Sequence, residues 1–262
     1  MTTPEIIVCP DAQALARLGA EQFVLGAAEA ISRARRFAVA LSGGSTPAAL
    51  YRLLASPGFR ERVDWSRVNF FWGDERCVPP DHPDSNFRMT RETLLDAIQV
   101  PSENIHRIAG ELDPATAAAA YEAELQRFFG ARPPRFDLAL LGLGEDGHTA
   151  SLFPNSPALD EQQRLVVPVY VEKLRSHRVT LTLPVLNAAA RVVFLVSGAN
   201  KAEIVKEILR PDCDPSLYPA ARIQPSNGIL TWLISEDAAS ALPADLPLRR
   251  DKARPVPTDD GV

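Results

Sequence analysis

Residues 138–154 read LALLGLGEDGHTASLFP, and this stretch decides the fold. An apolar run, Leu138 to Leu141, stops in a turn spaced by Gly142, Gly144 and Gly147. The turn carries Glu145, Asp146 and His148 before Thr149 to Phe153 becomes apolar again. A buried strand that ends in a glycine-rich loop leaves polar side chains in the crevice beyond the carboxyl ends of a parallel sheet, where open α/β folds hold their ligands. Glycine lets such a loop take positive φ and approach a ligand closely. The plain alternative is a tight strand-to-helix turn with an idle histidine. A second loop of the same build upstream argues against it.

That second loop is SGGSTP, Ser42 to Pro47, between the buried-strand run Phe37–Leu41 and the helical AALYRLLAS. Ser45 or Thr46 is expected to cap the helix, with Pro47 in its first turn. Free N–H groups at such a helix start favour an anion, so Gly43, Gly44, Ser45 and Thr46 form a candidate cradle. There is no Walker lysine and no GxGxxG, which argues against a nucleotide P-loop or a dinucleotide fingerprint. A third loop, Gly73-Asp74-Glu75-Arg76, follows the strand-like Val68–Trp72. Its charges either face a site or pair internally to hold the loop, and the two roles are compatible. A fourth follows Val192–Val196, where Lys201 opens a helix to Leu209 and is a further anion ligand unless it faces solvent.

The remaining pattern is consistent with these loops. Glu5–Val8 and Ile229–Ile234 read as strands, and Leu165–Val171 and Val179–Leu183 are β-like. Helices are expected from Ala12 to about Ala34 behind an Asp11 cap, from Met89 to Ile98 behind Asp84 or Ser85, and from Ala115 to Phe129. Strand, polar turn and helix in repeated order predict a three-layer α/β/α, Rossmann-like domain with a mostly parallel sheet. One domain is expected over residues 1–242, with 243–262, rich in proline and charge, as a flexible tail.

Composition narrows the function. With 262 residues, 46% of them hydrophobic, the chain can bury a substantial core. A net charge of −5 and a pI near 5.5 argue against general nucleic-acid binding. No apolar run approaches the roughly 18 residues of a membrane span. The beginning of the chain has no basic-then-apolar leader and does not read as secreted, and its three scattered cysteines fit a reducing, cytoplasmic setting. Cys9, Cys77 and Cys213 are far apart, as are His82, His106, His148 and His177. Neither a disulfide framework nor a zinc site is indicated, and the histidine of DHPDSN (81–86) reads as loop chemistry. No cofactor, metal or obligatory protein partner is expected.

Several motifs together resemble the glucosamine-6-phosphate isomerase/6-phosphogluconolactonase superfamily, and its lactonase branch in particular. They are LSGGSTP (41–47), WGDERCVP (72–79), DSNF (84–87), LLGLGEDGHTASLFP (140–154), RVTLTLPVLNAA (178–189) and SGANKAEIV (197–205). The resemblance covers most of the chain in the expected order. It implies a Rossmann-like fold without a dinucleotide. It also implies metal-free hydrolysis of 6-phospho-D-glucono-1,5-lactone to 6-phosphogluconate, a step of the oxidative pentose phosphate pathway.

The residues can be matched to that chemistry. Opening a lactone requires water activated against an ester carbonyl and stabilisation of charge on its oxygen. His148 is the expected general base, because an imidazole is partly free near neutrality. Asp146, two residues away, is expected to orient the ring or hold the water, and Arg76 to meet the substrate or its oxyanion. Gly43, Gly44, Ser45 and Thr46 would hold the phosphate, aided by Lys201 and Arg178, with Asp74 also at the substrate.

Two rivals are weaker. By resemblance, the deaminase branch places a glutamate five residues after the histidine and a tyrosine where this chain has Arg76; here the first position is Phe153. A non-catalytic sugar-phosphate sensor of the same fold would be expected to carry an added domain, for which there is no room outside the tail. Before RVTLTLP the family pattern of a lysine and prolines reads here Lys173-Leu174-Arg175-Ser176-His177, so the rim of the site departs from it.

Overall fold

The computed structural model describes residues 3–130 and 133–251. In chain order the elements are β1 (Glu5–Cys9), α1 (Ala12–Ala34), β2 (Phe37–Leu41), α2 (Ser45–Ala55), α3 (Pro57–Arg60), β3 (Val68–Trp72), β4 (Asp74–Arg76), α4 (Asn86–Thr93) and α5 (Pro114–Phe129). Then come β5 (Leu138–Leu141), β6 (Val166–Val171), β7 (Ser176–Leu181), α6 (Leu183–Asn187), β8 (Arg191–Val196), α7 (Ala202–Leu209), β9 (Ile229–Ser235) and β10 (Arg249–Arg250).

Seven strands form one sheet in the order β10-β1-β9-β8-β5-β2-β3, and every registered pair in it is parallel. β2, β3 and β5 are buried along their whole length, which is why they read as unbroken apolar runs. Adjacent residues of β3 show that both faces are covered. Phe70 stacks on Trp65 beside Phe23 of α1, while Phe71 packs against Phe128 and Tyr121 of α5. Side chains alternate across a strand, so α1 and α5 lie on opposite sides and the domain has three layers.

Two buried tyrosines peg the strand ends. The Tyr51 hydroxyl donates to Ser42 O at 2.9 Å and accepts from Ser42 N at 3.1 Å, just beyond β2. The Tyr121 hydroxyl does the same for Trp72 at the end of β3, at 3.0 and 2.9 Å. Burial raises both phenols well above their ordinary titration range, so they stay protonated as donors.

Two local expectations change, and the β-like stretches Leu165–Val171 and Val179–Leu183 are found outside the main sheet. β6 and β7 form a three-stranded antiparallel sheet with β4, in which Asp74 faces Thr180 and Arg76 faces Arg178. The helix expected to run to Ile98 ends at Thr93, where Leu94 takes φ −140°; Ser85 is its cap. Residues 243–251, expected to belong to a tail, are tied to the sheet. Arg249 and Arg250 pair with Ile7 and Val8, Leu246 and Leu248 pack on the core, and the two arginines reach Glu5 and Glu236. Residues 252–262 lie outside the described residues.

Candidate active site

In the main sheet β8, β5, β2 and β3 are consecutive neighbours, and the loops at their carboxyl ends are the four polar loops read from sequence. They enclose a cavity of about 410 Å³. Gly43, Gly44, Ser45, Thr46, Asp74, Arg76, His148, Arg178 and Lys201 all line it. Asp146 stands behind His148 rather than in the lining, held to it by a 2.5 Å contact from His148 Nδ1 to Asp146 Oδ1.

The histidine loop is built by close approaches. Gly144 N–H donates to His148 O at 2.8 Å, Gly147 takes φ +78°, and Thr149 Oγ1 donates to Gly142 O at 2.9 Å. A Cβ on Gly144 would fall on the imidazole at Nδ1 and crowd Asp146. Gly144→Ala is therefore expected to displace the ring and to destabilise the fold by about 1–3 kcal/mol, read as a lower urea midpoint.

Phe153 stacks on His148 with ring centroids 4.2 Å apart. Burial lowers the imidazole pKa below its ordinary value, and Asp146 opposes this only in part. The ring is thus neutral at pH 7, its proton directed to Nδ1 by the carboxylate. No protein group among the described residues bonds Nε2, the nitrogen left for the cavity. For Asp146, burial works toward a higher pKa, but hydrogen bonds from Lys173 and His148 outweigh it and lower it to about 2.

The β4 loop divides its acids between two roles. Glu75 is structural: it accepts from Arg76 N, Asn86 N, Phe87 N and the Ser85 hydroxyl at 2.7–3.1 Å, fastening the start of α4. Burial nevertheless holds its carboxyl above the usual range. Asp74 faces the cavity, set by the Ser151 hydroxyl at 2.6 Å and Asn86 Nδ2 at 3.2 Å, with Arg178 Nη1 4.0 Å away. The Nε–H groups of Arg76 and Arg178 are buried without a protein acceptor. Burial lowers the Arg178 pKa, and the neighbouring Arg76 charge lowers it further. A desolvated N–H without a partner is costly, so this pair is suited to an anionic group.

The cradle departs from expectation in one respect. Neither Ser45 nor Thr46 caps α2. Gly44 is the cap residue at φ +106° with no side-chain bond to the helix, and Thr46 Oγ1 meets Ser197 Oγ at 2.7 Å instead. The first-turn amides are left without a side-chain acceptor from the cap, as anion binding requires. Lys201 comes from the β8 loop, where Asn200 donates to Glu145 at 2.6 Å and ties that loop to the histidine loop.

Sequence reading gave no role to Asn86, Ser151 and Lys173. The first two orient Asp74, and Lys173 pairs with Asp146. DSNF was visible as a motif, but nothing local assigns its asparagine to a carboxylate twelve residues back. Among the described residues no His, Cys, Asp or Glu cluster is placed to hold a metal ion, and no helix is long and apolar enough to cross a membrane.

The family model for glucosamine-6-phosphate isomerases/6-phosphogluconolactonase matches residues 10–232. The chain belongs to this family. A 6-phosphogluconolactonase of a Nostoc species is 42% identical over 239 residues, 90% of this chain and 97% of that protein. One of a Synechocystis species is 46% identical over 82% of this chain and 88% of its own length. The structure of 6-phosphogluconolactonase from Trypanosoma cruzi superposes with a TM-score of 0.80 at 30% identity, covering 91% of this chain and 96% of that one.

Proposed function

We propose that this protein hydrolyses 6-phospho-D-glucono-1,5-lactone to 6-phosphogluconate with His148 as general base. The observation that carries the reading is one cavity lined both by an oriented, neutral imidazole and by a helix N-terminus without a side-chain cap, with Lys201 in the same lining. Family membership and relatives named for this activity support the substrate assignment.

In this mechanism His148 Nε2 takes a proton from water as the water oxygen attacks the lactone carbonyl carbon. Negative charge develops on the carbonyl oxygen and is met by Arg76. Collapse of the tetrahedral intermediate breaks the ring C–O bond, and the imidazolium returns its proton to the departing ring oxygen. Asp146 keeps the imidazole in the correct tautomer throughout. The phosphate on the Gly43–Thr46 amides, with Lys201 and Arg178, holds the ring in place from a distance. The deaminase alternative lacks a proton-carrying side chain at Phe153, which is committed to stacking on His148.

The test is a coupled assay that follows lactone loss above its spontaneous rate. Lactone turnover without ammonia release from glucosamine 6-phosphate is expected; ammonia release, or binding without turnover, contradicts the reading. Lys201→Ala should raise KM about tenfold with kcat nearly kept. An unchanged KM would place that lysine in solvent.

A further inference from the structure

Lys173 does not line the cavity, yet it reaches the loop that carries the base. It sits in the single turn Glu172–Leu174 that joins β6 to β7, and the left-handed Arg175 (φ 46°) reverses the chain after it. Its ammonium pairs with Asp146 Oδ2, while Asp146 Oδ1 holds His148 Nδ1. The same ammonium lies 5.1 Å from the centroid of Phe153, the ring stacked on His148. A carboxylate and an aromatic ring therefore both stand between this lysine and the imidazole.

We propose that Lys173 is a positioning residue: from the β6–β7 turn it pins the Asp146 carboxylate, so that His148 is held by Nδ1 with Nε2 toward the cavity. The proposal rests on the lactonase reading and adds a residue to that site. An aspartate on its own would stabilise the imidazolium and raise the imidazole pKa against the effect of burial. With an ammonium on its far oxygen, Asp146 still orients the ring but pulls less on its proton. The charged groups facing the imidazole are Asp146 on its own loop, Lys173 from the turn, and Asp74 from β4. Arg178 of β7 lines the same cavity, its guanidinium 6.0 Å from the Phe153 ring. Lys173 is therefore one of the few positive charges able to offset two carboxylates there. A half-exposed ion pair adds little to stability, so the effect should be on the base and not on the fold.

The experiment compares Lys173→Met and Lys173→Arg with the unsubstituted protein in two readouts. The first is the NMR titration of the His148 imidazole, which does not depend on any reaction. The second is the pH profile of lactone turnover. Lys173→Met should raise the imidazole pKa and move the acid limb up by about half a unit to one unit. Its kcat at pH 6 should fall about two- to fivefold, with KM within about twofold of the original. Lys173→Arg should restore both, and the unfolding midpoint should not change. An unmoved titration overturns the proposal, and so does a Lys173→Met variant that raises KM at constant kcat. If the unsubstituted protein turns over no lactone, the functional reading fails and the imidazole titration alone decides the role of Lys173.

Discussion

His148→Ala should lower lactone turnover by at least about a hundredfold while the protein still folds, the usual scale of general-base help being about 10² to 10⁴. The imidazole is the one titratable group in the cavity that is both neutral at pH 7 and hydrogen-bonded on only one nitrogen among the described residues. Its pKa is lowered by burial from 6.5, so the base form persists on acidification to below that value. Activity should therefore fall as pH drops through a limb lying under 6.5, and the variant should lack that limb. The same shift has a consequence for stability. A histidine whose folded pKa is depressed opposes folding once the unfolded chain binds the proton more readily, so its destabilising effect grows as pH falls below 6.5. The alanine variant escapes this cost, and its unfolding midpoint should hold up in mild acid. Turnover within tenfold of the original, with the acid limb in place, would remove His148 as the base.

Arg76→Gln is expected to lower kcat by about 10² to 10³, the scale seen when a donor to a developing oxyanion is removed. Arg76 Nη1 donates to Asp84 O at 2.5 Å, which anchors the side chain, while its buried Nε–H has no protein acceptor. The residue faces Arg178 across the β4–β7 pair, and two guanidinium groups this close repel unless an anion comes between them. Arg76→Lys should recover only part of the loss, because an ammonium cannot make the fork of hydrogen bonds. A variant with raised KM and unchanged kcat would move Arg76 from the transition state to ground-state binding.

The main sheet was legible because parallel strands buried on both faces leave unbroken apolar runs, as in FAVAL and LALL, each stopped by glycine and a polar loop. The loops at four adjacent strand ends then had to meet, and their residues do line one cavity. The antiparallel layer was not legible. Asp74-Glu75-Arg76 is three charged residues long and becomes a strand only through pairing with residues 178–180, far along the chain. Lys173 was hidden for the same reason: its partner Asp146 lies twenty-seven residues earlier, and an exposed lysine in a turn carries no local mark of its contact. The cap of α2 was misread because serine and threonine next to a helix start ordinarily turn back on it, whereas Thr46 is engaged by Ser197 from β8's loop. The edge strand β10 escaped notice because two arginines among prolines look like tail until Glu5 and Glu236 are placed beside them.

A crystal structure with 6-phosphogluconate bound tests the central claim most directly. The account predicts the phosphate on the Gly43–Thr46 amides beside Lys201, and the carboxylate carbon within reach of His148 Nε2 and Arg76. A product molecule with its phosphate at His148, or seated outside this cavity, would contradict it.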